Sequence, residues 1–418
     1  AYWLLYCLPS PFTSLLFSWG IKLQTWYSGI VDKVVRWTAS DVLGIERQLV
    51  PPGGSGDTTF DFVRLFVCFC IAMGIAVVWS IVDRRKTDYR TTNDLLRSYL
   101  RYVLAFTMMS YGLAKLGVVF NQFPEVGMNQ LHKNWGDSSP MNVVWSLMGA
   151  SFAYTTFAGL GELTGGLLLI WRRTTTIGAM VTFGVMLNVM MLNFCYDIPV
   201  KQYSFHLLMM AVFLILPEAV RLGNILLLNR PTVPVQIDPP YTNQYTIWLQ
   251  RLIKAYVIIV GVGFPIWNDI KMELNPDEYV AIGPDWFGWY HVDEFLIDGQ
   301  PVPPLATDGT RWDSFLIQRY PYIGMGGPNQ PDQLSIRMMN GSIGGGAAIV
   351  DEAGKTITCS TCTPGRMNLT IKGDNLVKIT GQGAGGEEME IRVRRVRRED
   401  FLLVNRGIRW INEIPFNR

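Results

Sequence analysis

Apolar residues collect in long, nearly unbroken runs over the first two-thirds of this chain and break into short alternating runs over the last third. An α-helix needs about 20 consecutive apolar residues to cross the hydrocarbon core of a bilayer. Segments 2–19, 60–82, 98–120, 151–171, 174–195, 203–220 and 252–268 approach that length, which predicts about seven spans. Pro9 and Pro11 interrupt the first. It has no basic leader and no small-residue cleavage site, so it reads as a membrane helix and not as a signal peptide. Met141 to Ala150 is a shorter apolar stretch that reads as an interfacial or re-entrant turn. Ile21 to Leu49 carries Lys22, Asp32, Lys33 and Arg36 at helical spacing. That suits either an amphipathic helix on a membrane surface or an ordinary packed loop helix.

Beyond Gln333 the period changes to two. Leu334–Met338, Asn368–Ile371, Leu376–Ile379 and Met389–Val396 alternate and are separated by turn residues, which predicts an antiparallel sheet. The expected architecture is therefore an all-α polytopic membrane bundle over 1–268, followed by a β-rich domain over 269–418. Trp286, Trp289 and Tyr290 read as interfacial anchors. Gly344 to Gly346 reads as a turn. Gly381, Gly383 and Gly386 match dinucleotide-loop spacing, but an alternating strand follows them where a helix is required.

Composition supports a membrane protein: 49% of residues are hydrophobic and 17% charged, against about 25% charged in ordinary soluble proteins. The placement of charge orients the bundle. Arg84, Arg85, Lys86, Arg90, Arg97 and Arg101 share one side with Arg172, Arg173, Arg221, Arg230, Arg251 and Lys254 if the spans alternate. The positive-inside rule makes that side the cytoplasm. The expectation is a multi-pass protein of the bacterial cytoplasmic (inner) membrane, with a cytoplasmic N-terminus and a periplasmic C-terminal domain. The lipid bilayer is then its first partner. A net charge of +2 offers no argument for nucleic acid. Arg392, Arg394, Arg395, Arg397 and Arg398 form a basic stripe that reads as a solvated strand face or as a contact for an anionic partner.

Candidate chemistry lies inside the apolar runs, where ionisable residues are costly and usually face the bundle interior with a partner. Tyr111, Lys115, Glu162, Asn188, Asn193 and His206 fall there. At 1.5 Å per residue from the basic markers, Lys115, Asn188 and His206 lie roughly 21–22 Å up and Tyr111 and Glu162 roughly 15 Å up. Lys115 has the reach to bridge the two layers. The group forms either a pocket for a quinone head group or proton relay, or a buried ion pair with amides that join the helices. Asp197 and Lys201 stand at the outer mouth as a gate or a charged surface cap. With three histidines, and His132 and His291 without ligand spacing, no metal site and no intrinsic cofactor is evident. Cys68 and Cys70 read as buried apolar fillers. Cys359 and Cys362 form a Cys-x-x-Cys that fits a disulfide, a metal half-site or a redox pair, and the Pro364–Gly365 that follows favours a structural disulfide.

Several strings resemble a known family. Ser110–Tyr111–Gly112–Leu113–Ala114–Lys115 and Ala158–Gly159–Leu160–Gly161–Glu162–Leu163–Thr164–Gly165–Gly166 resemble the lysine and glutamate segments of DoxX-family membrane proteins. Arg172 to Thr176, Leu192 to Lys201 and the tail Asn405 to Arg418 resemble a longer Bacteroidetes-like subgroup with a C-terminal soluble domain. The resemblance covers roughly 55–230 and the tail. It implies a quinone-associated or redox-linked membrane protein, with quinone as the expected small molecule. A non-catalytic accessory or assembly subunit, docked to other membrane or periplasmic subunits, is the alternative. Whether the chain is an enzyme is open on these residues.

Overall fold

The structure, a computed structural model, describes all residues except 10–16, 50–55, 85–87, 119–121, 132, 134, 234–243, 275–283, 320–331, 354, 360–366, 373–376, 383–385 and 407–418. His132, Cys362, Gly383, most of the Pro51–Thr59 loop and the tail from Gly407 therefore lie outside the described residues. The chain divides into two compact units. One comprises Ala1–Glu125 with Ser138–Asp269, and the other Val126–Asp137 with Ile270–Arg418.

The first unit is helical: α1 (Tyr2–Cys7), α2 (Phe17–Trp37), α3 (Thr59–Val82), α4 (Arg90–Lys115), α5 (Pro140–Gly149), α6 (Phe152–Ile170), α7 (Thr175–Cys195), α8 (Lys201–Ile215), α9 (Ala219–Leu226), α10 (Gln244–Ile258) and α11 (Phe264–Leu274). Among the described residues, four helical stretches are long and apolar enough to cross a membrane: Thr59–Val82, Arg172–Cys195, Lys201–Leu226 and Ile247–Lys271. The pair α5 and α6, bent by 98°, adds a fifth if it is one span. Seven spans are not recovered, for two physical reasons. The first expected span holds the six-residue α1, far too short to cross lipid, and α2 begins at Phe17. The third, α4, carries Arg97, Arg101 and Lys115 and so is less apolar than a lipid-facing helix. It can be so because it is packed by protein: Leu100, Leu104, Met108 and Met109 are fully buried with Leu169, Met210 and Leu214.

Small residues set the spacing of this core. A Cβ on Gly166 would lie 2.8 Å from the Ala105 carbonyl, and one on Gly112 would lie 2.7 Å from the Leu163 amide. Any larger side chain would push α4 and α6 apart, the close-packing device of helices in lipid. By contrast α3 starts with a reciprocal cap, in which Thr58 and Asp61 satisfy each other's backbone amides. It then shows Phe62, Phe66 and Phe69 outward. Val35, Ala39 and Leu49 of the α2 region pack on Phe60 and Val63, so α2 has a packed apolar face.

The second unit holds a closed antiparallel β-barrel. Its strands are β1 (Gly288–Ile297), β2 (Gln300–Pro301), β3 (Trp312–Gln318), β4 (Asp332–Met338), β5 (Ile343–Asp351), β6 (Thr356–Cys359), β7 (Met367–Lys372), β8 (Val377–Gln382) and β9 (Glu388–Val396). β1 pairs with both β3 and β9, which closes eight strands. The two-residue β2 is appended to β1. Closure removes the unpaired edges an open sheet would expose. Alternation places Leu334, Ile336 and Met338 inside with Tyr290, Phe315 and Trp312; the Tyr290 and Phe315 rings stack at 5.0 Å.

Three expectations are corrected here. Trp289 and Tyr290 are buried on β1 and so are not interfacial anchors; Trp286 packs against the barrel core. Gly344 to Gly346 belong to β5 and do not form a turn. Gly345 has φ +126°, and a Cβ there would lie 2.1 Å from the Leu334 carbonyl. Glycine is thus a close-approach residue within a strand. Cys70 is exposed on α3 and so is not a buried filler, unlike Cys68. The basic stripe lies on an exposed strand face, where Arg392 pairs with Glu294 at 3.0 Å and Arg394 with Asp293 at 3.1 Å. At one end of the barrel Arg319 donates to both Asp332 oxygens at 2.7 and 2.9 Å. That fork, with Glu352 at 3.0 Å, holds the guanidinium pKa above its ordinary value.

Candidate functional site in the helical unit

Gly159 and Glu162 lie one turn apart on α6, and Lys115 closes α4. A Cβ on Gly159 would come within 3.0 Å of the Lys115 Cβ. The glycine therefore lets the lysine stem pass flat across α6, and its ammonium arrives beside the carboxylate one turn on. Lys115 Nζ donates to Glu162 Oε1 at 2.8 Å and to Oε2 at 2.7 Å. Both side chains are buried, at 7% and 3% exposed. The ammonium also stands 5.7 Å from the Tyr111 ring and 5.8 Å from the Phe123 ring, within the range of cation–π attraction.

This pair forms part of the wall of a cavity of about 320 Å³. Tyr111, Asn188 and Asn193 line the same cavity, so five of the six expected residues converge. His206 does not. Its Nδ1 is 2.6 Å from the Gln202 carbonyl, its Nε2 is 2.7 Å from the Tyr2 hydroxyl, and its ring stacks on Tyr6 at 4.1 Å. Its direction around α8 turns it toward α1.

Polar groups are a minority of the lining. Met108, Phe123, Val144, Trp145, Met148 and Phe157 make much of the rest. The cavity is thus apolar with a few polar groups at one place, the usual make-up of a small-molecule site. Gln122 adds a buried side-chain oxygen without a hydrogen-bond partner among the described residues. Tyr203 also lines the cavity, its ring 6.4 Å from that of Tyr111.

Helix α5 supplies Val144, Trp145 and Met148 to this lining. Its sharp bend onto α6 is built locally. Ser139 and Ser151 cap the two helices, and the Thr155 hydroxyl donates to the Met148 carbonyl at 2.6 Å across the break. The stretch Met141–Ala150 was legible as too short to span. Phe123 and Gln122 were not, because loop residues have no periodicity that assigns them to a wall, and Trp145 was not, because so short a helix does not show which neighbour its face meets.

At the start of α8 Lys201 Nζ meets Asp197 Oδ1 at 2.7 Å. Asp197 is exposed and Lys201 partly covered, and the pair reads as a surface cap. The group that organises this end is Asp57, which the sequence pattern did not indicate. Its carboxylate accepts the Lys201 and Gln202 backbone amides at 2.7 and 3.0 Å, capping α8 from 144 residues away. Gly56 donates to the Pro199 carbonyl at 2.8 Å beside it. At the basic end Arg101 donates to Thr175 at 3.4 Å, and Arg172 and Lys254 lie within its electrostatic reach.

Among the described residues no cluster of His, Cys, Asp or Glu could hold a metal ion. In the other unit Cys359 is buried and disulfide-bonded; Cys362 lies outside the described residues.

No family model matches the chain, and no solved structure matches it. The uncharacterized protein YwoB of Bacillus subtilis (strain 168) is 35% identical over 115 residues, 28% of this chain and 71% of that relative.

Proposed function

Because the chain belongs to the same family as the uncharacterized Bacillus subtilis protein YwoB, whose name states no activity, we propose a function from the site itself: the helical unit binds a quinone-class molecule in the membrane, with its head group against Lys115 and Glu162. The observation that carries this reading is the buried pair set into the wall of an otherwise apolar cavity. A quinone head group offers carbonyl oxygens that accept from Lys115, Asn188 or Asn193, and a quinol offers hydroxyls that donate to Glu162 or Gln122. Its prenyl tail matches Met108, Met148 and Phe157. A kinship with DoxX-family proteins fits the same residues, and electron transfer would run through a partner.

The bundle would sit in a bacterial cytoplasmic membrane with its arginine-rich end inside. The β-barrel unit would then be periplasmic. The disulfide at Cys359 supports that side, because disulfides persist in oxidising compartments.

Native mass spectrometry of the gently extracted protein tests the proposal. A stoichiometric quinone, lost in Asn188→Leu and in Lys115→Met, is the expected result. Asn188→Leu leaves the ion pair intact and so separates ligand loss from misfolding. A fixed set of partner subunits without any quinone would overturn it in favour of an accessory subunit.

A further inference from the structure

A second cavity of about 320 Å³ lies on the α1–α3 side of the same unit. Its wall takes polar residues from five helices: Tyr6 of α1, Gln24 of α2, Asp61 and Arg64 of α3, Thr107 of α4, and Gln202 and Tyr203 of α8. Arg64 is the unusual one. It sits five residues into the most apolar of the spanning helices, where a cation is costly and marks a pathway or a bound partner. An arginine offers five donors in a rigid fork. Among the described residues the only acceptor within hydrogen-bond reach of Arg64 is the Tyr6 carbonyl, at the long distance of 3.5 Å, and no carboxylate pairs with it. The nearest acid in the wall, Asp61, is committed elsewhere. Its Oδ2 accepts from the Thr58 amide at 3.1 Å and hydroxyl at 2.6 Å.

We propose that this cavity binds a phosphate-class anion on Arg64, the phosphodiester of a membrane lipid being the fitting source. The guanidinium fork matches two phosphate oxygens. Tyr6, Gln24 and Thr107 offer further donors. The outward face of the same helix, with Phe62, Phe66 and Phe69 exposed, gives acyl chains an apolar surface beside the head group. Phosphate oxygens suit this site better than a quinone does, because the cation here has no counter-ion among the described residues, whereas Lys115 already has one. The two sites share Val200, Tyr203 and Leu207 in their walls but not their charged groups, so either assignment can fail without the other.

The full chain is purified in mild detergent, stripped of lipid, and titrated calorimetrically with short-chain phosphatidylglycerol, with the matching neutral diacylglycerol and with inorganic phosphate. Saturable binding of phosphatidylglycerol, weakened about tenfold or more in Arg64→Gln and less in Arg64→Lys, is the expected result. Inorganic phosphate binding as tightly as the lipid, with the same dependence on Arg64, keeps the anion site and moves its source to free phosphate. Unchanged phosphatidylglycerol binding in a folded Arg64→Gln, equal binding of the neutral diacylglycerol, or no binding of either phosphate compound overturns the proposal. Circular dichroism and elution volume establish that each variant is folded.

Discussion

Lys115 and Glu162, 47 residues apart, make a two-pronged ion pair because Gly159 carries no side chain between them. Removing one partner of a buried pair leaves a charge that neither lipid nor protein solvates. Lys115→Met or Glu162→Gln alone is expected to cost roughly 3–5 kcal/mol. The double variant should cost clearly less than the sum, since no orphaned charge remains. Thermal unfolding of all four proteins in one detergent measures the coupling, and additive losses would show that the pair acts as two independent residues.

Asp57 holds the first turn of α8 through two backbone amides. Asp57→Ala is expected to destabilise the protein by about 1 kcal/mol and to speed hydrogen exchange at the Lys201 and Gln202 amides. Unchanged exchange at those two positions would remove Asp57 from the role of cap.

The β-barrel tolerates no side chain at Gly345. Its φ of +126° and the 2.1 Å approach to the Leu334 carbonyl strain the backbone and the β4–β5 ladder together. Gly345→Val is expected to abolish the native near-ultraviolet dichroism of the buried Trp312 and Tyr290, while Gly341→Ala at the adjoining turn should be milder, because it strains only the backbone at φ +83° and meets no atom within 4 Å. Equal spectra for the two variants would contradict this.

Asp308 accepts from the Thr310 amide and hydroxyl and from the Arg311 amide. These bonds favour the charged carboxylate, so its pKa lies below the ordinary value. The stabilisation is present above the unfolded carboxylate pKa and is lost as pH falls through the depressed folded one. Exchange at the Thr310 and Arg311 amides should therefore accelerate on acidification below the usual carboxylate range, and Asp308→Asn should flatten that response. An identical pH response in Asp308→Asn would assign it to another group.

Local signals settled the class of each half. Apolar runs of bilayer length announced a helical membrane unit, and period-two alternation announced β4, β7, β8 and β9. Both are properties of consecutive residues, so they survive without knowledge of the fold. The polar set Tyr111, Lys115, Glu162, Asn188 and Asn193 was legible for a similar reason: charge inside an apolar run is improbable without a purpose, and helix rise gives its depth. Rotation about the helix axis is a matter of which neighbour each face meets, and only tertiary packing decided it. That packing sent His206 to Tyr2 and Tyr6 and brought Gln122, Phe123 and Trp145 to the cavity. It also determined how many long helices face lipid, since a protein-covered helix such as α4 tolerates arginine. Closure of the barrel, with Tyr290 inside it, depended on β1 finding β9 about a hundred residues away. No run of neighbouring residues encodes that pairing; it is fixed when the apolar faces of eight strands are buried at once.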